Sequence, residues 1–333
     1  MDLTPPTLYL PRLMSRLKLF LALAVGIGVL ALVLTHFDLS LAVRALARAG
    51  FGGLAIVIVA GLAAELVLAV GIIPLLPRPM PLSIVFAARQ LRDSSSDVLP
   101  ITQIGGVAFA ARAFVLAGLG AFEASASVIA DLTTETFAQG LYVLAGVVAS
   151  LSLLHRNALL KPWTGAMLAG AVFLSIGSLL FAVLQLNGSR WAERLGGKLF
   201  ASTAASAHNF SAAVHAIYRA RARVALSILL QFAGWIASGL WLWVVLAVMD
   251  LKPSLWSAIA IQALVEGLRS ATVFIPAAIG IQEAGYAAVA PVFGLPPEIG
   301  LAVSLLRRAR DILVAVPVLL VWQFIEGRRA ARG

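Results

Sequence analysis

Residues 53–76 read GLAIVIVAGLAAELVLAVGIIPLL, twenty-four positions carrying one charge, Glu65. About 20 mostly apolar residues in α-helix cross the ~30 Å hydrocarbon core of a bilayer, so this stretch is long enough to span it. Runs of the same kind recur from Leu17 to Leu34, Ala124 to Leu154, Trp163 to Leu186, Val224 to Met249 and Gly300 to Phe324. They are continuous rather than alternating, which excludes a membrane barrel built of roughly ten-residue alternating strands. The whole chain agrees: of 333 residues, 61% are hydrophobic and 12% charged, against about a quarter charged in a soluble domain. The expected fold is all-α, a polytopic transmembrane helix bundle forming a single domain over residues 1–333.

Cysteine is absent, which excludes disulfides, thiol catalysis and cysteine-based metal sites. His36, His155, His208 and His215 fall in or near connections and suit a solvated or interfacial setting better than a metal site. No P-loop, HExxH or GxGxxG occurs. No metal, no cofactor and no catalytic residue is therefore expected. Arg12, Arg16 and Lys18 precede a leucine-rich run that lacks a small-residue cleavage site, so it reads as a retained first span. Basic residues also crowd the stretch from Arg190 to Arg223 and the tail at Arg328, Arg329 and Arg332. The positive-inside rule puts all three regions, and both termini, on the cytoplasmic side. Parity holds if six helices cross fully and two further segments either enter and return or cross as pairs.

Within residues 189–223, Trp191, Leu195, Leu199, Phe210, Val214 and Ile217 recur at helical spacing among basic residues, the pattern of an amphipathic helix lying on the membrane. Attraction to anionic headgroups accounts for the net charge of +10. Nucleic acid is not an expected partner, because no reading module is present. Trp163, Trp241, Trp243, Trp256 and Trp322 lie near span ends or turns, where indole anchors at the interface.

Two apolar regions share a grammar. Residues 91–100, LRDSSSDVLP, precede Gly105 and Gly106; residues 267–276, GLRSATVFIP, precede Gly280. Pro100 and Pro276 each remove a backbone donor and the glycines loosen the helix, so each region should contain a break in a hairpin that is interrupted or re-entrant. Lipid does not tolerate such breaks; they persist inside protein or beside a wet cavity, and paired breaks mark a transporter's binding site. The halves, residues 53–154 and 224–324, then read as inverted repeats joined by the amphipathic segment.

A charge at the bilayer centre costs about 2.5 to 3.5 kcal/mol on insertion scales, so intramembrane charges must face a partner or water. Arg112, Asp131, Glu135, Arg269, Arg307, Arg308, Arg310 and Asp311 are such residues, with Glu65 and Glu283 each alone among apolar neighbours. Aligning the repeats places Asp131 and Glu135 at the level of Arg307 and Asp311, which predicts ion pairing between the halves. The structural reading has Asp131 or Glu135 holding helices together through Arg112, Arg307, Arg308 or Arg310. In the functional reading Arg112, Arg269, Arg307 and Arg308 receive a phosphate headgroup, for which guanidinium is suited. The candidate binding set is accordingly Arg112, Asp131, Glu135, Arg269, Glu283, Arg307 and Arg308, lining a laterally open polar groove. A membrane enzyme built on Asp93, Asp97, Asp131 and Glu135, and a non-catalytic scaffold for lipid-synthesis enzymes, are the alternatives.

Residues 99–106 (LPITQIGG), 274–285 (FIPAAIGIQEAG) and 304–311 (SLLRRARD) resemble the flippase-like membrane domain of lysylphosphatidylglycerol synthases, and within it the stand-alone branch associated with hopanoid biosynthesis. The likeness runs from Leu17 to Phe324. The family's second pattern commonly reads Pro-Gly-Gly-hydrophobic-Gly; here Ala277 and Ala278 stand at the paired glycines, while Pro276, Gly280 and Glu283 match by position. The resemblance implies a bacterial inner-membrane protein that binds membrane lipids and moves a hopanoid, isoprenoid or phospholipid between leaflets. It implies no aminoacyl transfer, since the synthases carry that chemistry on a further C-terminal domain and this sequence stops at Gly333.

Overall fold

The computed structural model describes residues 39–98, 103–156, 201–270 and 280–330, with most of 165–184. The first run quoted above forms most of helix α1, Leu39–Val70, which kinks at Gly50, where φ is 58°. Left-handed backbone of that kind is open to glycine at no steric cost. From Ala49 to Leu75 the chain is long and apolar enough to cross a membrane, as is α6, Arg221–Val248. The remaining labelled helices are α2, Leu82–Val98; α3, Gln103–Leu116; α4, Ala121–Arg156; α5, Ala201–Arg219; α7, Leu255–Ser270; α8, Ile281–Val289; and α9, Pro297–Ala330. The described residues of 168–184 are also helical, and no strand occurs among the described residues. The first span (Leu17 to Leu34), Trp163, Trp191, Leu195, Leu199, Pro100 and Pro276 lie outside them.

Local sequence sets the helix ends. Ser254 caps α7 by accepting the Ser257 N–H at 3.0 Å. Pro297 opens α9 at a position that needs no backbone donor. Between α3 and α4, Gly118 turns the chain with φ of 94°, and its carbonyl accepts from Arg78 at 2.6 Å.

Helices α2 and α3 pack against each other, as do α7 and α8. With 17, 14, 16 and 9 residues, these are short. Fourteen residues rise roughly 21 Å and nine roughly 14 Å, so neither α3 nor α8 reaches across a ~30 Å core. Helices α4 and α9, with 36 and 34 residues, exceed it. Contacts obey one exchange rule: α1 packs on α6, α4 on α6 and α7, and α9 on α1 and α2. Each long helix thus packs both on its own hairpin, α4 on α3 and α9 on α8, and on helices of the other half.

The outward faces are apolar. Ile56 and Val59 on α1, Leu226 and Leu229 on α6, and Ile312, Leu313, Leu320 and Phe324 on α9 are exposed. Surfaces of that extent are not left facing water. Inside, one apolar cluster centres on Leu242, Leu246, Leu264 and Tyr286, and a second on Val85, Ala88, Phe114 and Val128 under the first hairpin. Trp243 and Trp256 are exposed beside the turn after α6, as an interfacial indole should be. Trp241 is not: it is buried, donates to the Val57 carbonyl at 3.1 Å, and carries the Arg307 and Arg310 guanidinium groups at 5.7 and 5.6 Å from its ring. Cation–π contact with two interior arginines holds it in the core.

Candidate functional site: a buried ion network

Two clusters of charge sit between these helices. Arg89 and Arg92 are one turn apart on α2, and Asp131 and Glu135 one turn apart on α4, so each pair shares a helix face. Arg89 donates to Asp93 at 2.5 Å and Glu135 at 2.7 Å. Arg92 donates to Glu135 at 2.5 Å, Asp131 at 3.1 Å and Asp93 at 3.1 Å. From α6, Gln231 donates to Asp131 at 2.6 Å, and the Ser227 and Thr134 hydroxyls lie 3.0 Å apart.

The second cluster reverses the polarity, with the acid on the hairpin and the arginine on the long helix. Glu266 of α7 accepts from Arg307 at 2.8 Å, Arg269 at 3.0 Å and Gln262 at 3.0 Å. Tyr286 donates to Gln262 at 2.6 Å and accepts from Arg307 at 3.2 Å. Arg308 donates to Glu283 at 2.9 Å, and Glu283 also accepts the Gly280 N–H at 2.9 Å where α8 begins. Arg310 pairs with Glu65 on α1, which accepts in turn from Gln90 at 2.5 Å. Three nearly consecutive arginines of α9 therefore reach three different helices.

Glycine makes the room. A Cβ at Gly61 would lie 2.6 Å from Arg310 Nε, and one at Gly71 would lie 2.5 Å from Gln231 Cδ, so α1 offers a socket to each long side chain arriving from the other half. Gly105 and Gly106 do not form a break; both are helical residues of α3. A Cβ at Gly106 would lie 2.5 Å from the Arg92 carbonyl oxygen, so its role is to let α3 approach α2 where the arginines are carried. Gly280 does lie at a helix boundary, with φ of 77°.

Six of the sequence-derived candidates, Asp131, Glu135, Arg269, Glu283, Arg307 and Arg308, belong to this network, but in two clusters rather than one. Their ionic partners lie mostly within the same half, not across the halves as the alignment suggested. Contacts between halves include Arg310 with Glu65, Gln231 with Asp131 and Ser227 with Thr134. Arg89, Arg92 and Glu266 are missing from that set, although Arg89 with Asp93 and Glu266 with Arg269 already show helical spacing in the sequence.

Arg112 stands apart. Its side chain is 50% exposed and pairs with Glu326 on α9 at 3.1 Å. Exposed pairs contribute little. Arg112→Ala should leave the thermal midpoint in detergent and any lipid-binding property unchanged, measured by fluorescence-monitored melting.

The arginines expected to hold a headgroup are engaged by internal carboxylates, and two interior cavities, one in each half, measure about 10 Å³ each, the size of one water. Among the described residues no cluster of His, Asp or Glu has metal-holding geometry.

No curated protein and no solved structure shows a significant match to the chain. The family model described as the lysylphosphatidylglycerol synthase TM region matches residues 19–318. An all-α bundle with lipid-facing apolar surfaces and a charged interior fits that description. The chain belongs to the lysylphosphatidylglycerol synthase transmembrane-region family, multi-pass membrane proteins related to lipid handling.

Proposed function

We propose that this protein moves a membrane lipid, a hopanoid, isoprenoid or phospholipid, between the leaflets of the bacterial inner membrane, with both termini in the cytoplasm and the two halves arranged as inverted repeats. The observation that carries the reading is the ion network itself. Arginines and carboxylates are gathered where two hairpins of short helices meet two long helices, inside a bundle whose outer faces are apolar. A bundle that only needed to hold together would be at least as stable with apolar residues of similar volume at these positions. The reciprocal packing of α4 and α9 supplies two similar bodies that can rock against each other, as repeat-built transporters do. Opening the seam would let a headgroup exchange partners with Arg269, Arg307 and Arg308 while its tails stay in lipid, so that desolvation is offset at each stage.

No catalytic role is assigned to the chain. Asp93, Asp131 and Glu135 do come together, as a membrane enzyme would require, but each is bound by Arg89 or Arg92, which favours a structural or transport role over general acid–base work. A docking role for lipid-synthesis enzymes on the exterior is compatible with transport.

Leaflet-specific labelling of lipids in vesicles reconstituted with the full chain tests the proposal. At least one of the hopanoid, isoprenoid or phospholipid probes should cross tenfold faster or more than in protein-free vesicles, a barrier lowered by about 1.4 kcal/mol. Equal rates for all three would end the transport reading.

A further inference from the structure

The two halves are alike in packing and unlike in charge balance. The second cluster matches Arg269, Arg307, Arg308 and Arg310 with Glu266, Glu283, Glu65 and Asp311. The first sets two guanidinium groups, Arg89 and Arg92, against three carboxylates, Asp93, Asp131 and Glu135. Glu135 takes contacts at 2.7 and 2.5 Å and Asp93 at 2.5 and 3.1 Å. Asp131, buried on α4, has one ionic contact at 3.1 Å. The negative charge left over falls on the carboxyl least able to keep it.

Two orphaned polar atoms adjoin it. Arg89, 9% exposed, has an Nη1 with no partner, and Gln231, 0% exposed, has an Oε1 with none. Arg89 lines the first cavity together with Arg92, Asp131, Ala88, Phe114 and Val128, whereas the cavity of the other half is bordered by Tyr286 and otherwise apolar residues. A metal cation is disfavoured between two guanidinium groups; a proton needs no such volume. Gln231 and Asp131 are in hydrogen-bond contact at 2.6 Å. With its amide turned, Gln231 accepts from a protonated Asp131 through the oxygen that otherwise has no partner.

We infer that Asp131 is a proton-binding site, and that proton uptake and release there couples to the motion of the halves through Gln231. This rests on the transport reading. A proton arriving from one aqueous side bonds to an Asp131 carboxyl oxygen, neutralises the excess charge and closes the hydrogen bond to α6. Its release to the other side restores the carboxylate, which draws on Arg92 and turns the Gln231 amide back, so that the bond between α4 and α6 is donated from α6 again. The groups that bear on this titration are Arg89, Arg92 and Asp93 on α2, Glu135 and Thr134 on α4, and Gln231 and Ser227 on α6. Glu65 of α1, held by Gln90 and Arg310, and Tyr218 of α5, near Thr133, complete the set.

Infrared spectra of the purified full chain at neutral pH should contain a protonated-carboxyl stretch that shifts in heavy water, moves in Gln231→Leu and is missing from Asp131→Asn. A wild-type spectrum without that band overturns the site whatever the variants do. In vesicles, one unit of imposed pH gradient should skew the leaflet distribution of the transported lipid about tenfold for one proton per lipid, 1.4 kcal/mol, and Asp131→Asn should ignore the gradient. Wild-type movement that also ignores it overturns the coupling and leaves the transport reading standing. No movement under any condition, with the infrared band present, overturns transport and coupling and leaves the proton site.

Discussion

Glu266→Ala is expected to destabilise the protein by about 3 to 5 kcal/mol, the range for removing one partner of a buried ion pair. Its carboxylate is buried and accepts from Arg307, Arg269 and Gln262. Alanine would leave two guanidinium groups without their shared counter-charge, at a depth where each lone cation costs a few kcal/mol more. The loss should appear as a fall in the urea or thermal midpoint in detergent micelles. The paired change Glu266→Gln with Arg307→Gln should be milder than the alanine change, because it removes both charges and leaves groups that can hydrogen-bond. A single alanine variant as stable as wild type would show that water, not Glu266, compensates these arginines.

Gly300→Ala is the second large effect, at about 1 to 3 kcal/mol or more. A Cβ there would collide with the Tyr286 carbonyl oxygen and lie 2.5 Å from its carbonyl carbon and 2.9 Å from Ala287 N. All three are backbone atoms of α8, so no rotamer change gives relief and α9 must move away. Displacement on that side also lengthens Arg308 to Glu283 and Arg307 to Tyr286, so stability and lipid movement should fall together. Gly294→Ala, two turns away with open space around it but a left-handed φ of 77°, should cost backbone strain alone and leave lipid movement intact. Measured melting and translocation for the two variants separate crowding from strain.

Much of the fold was legible because lipid permits few solutions. The apolar run at Val224 to Met249 became α6 almost residue for residue, and the run at Gly53 to Leu76 lies in α1, which starts earlier, at Leu39, and ends at Val70. What sequence could not supply was direction. Asp131, Glu135 and Arg307 were recognisable as buried charges, yet the face each occupies depends on how the long helices cross the other half, and that is a property of packing. Arg89 and Arg92 are missing from the candidate set because the stretch from Leu91 to Pro100 reads as the approach to a break; the hydrogen-bonded helix continues through it to Val98. Trp241 was misplaced for a similar reason, since proximity to a turn suggests the interface and only the arginines of α9 draw it inward.

Because Arg89 and Arg92 find Asp131 and Glu135 39 to 46 positions further along, and Glu266 finds Arg307 after 41, each hairpin first emerges during synthesis with only Asp93 or Arg269 of its own helix to offset its charge. Its neutralisation is completed when α4 or α9 arrives. Entry into the bilayer should then proceed as two parcels, each a helical hairpin together with the long helix that neutralises it.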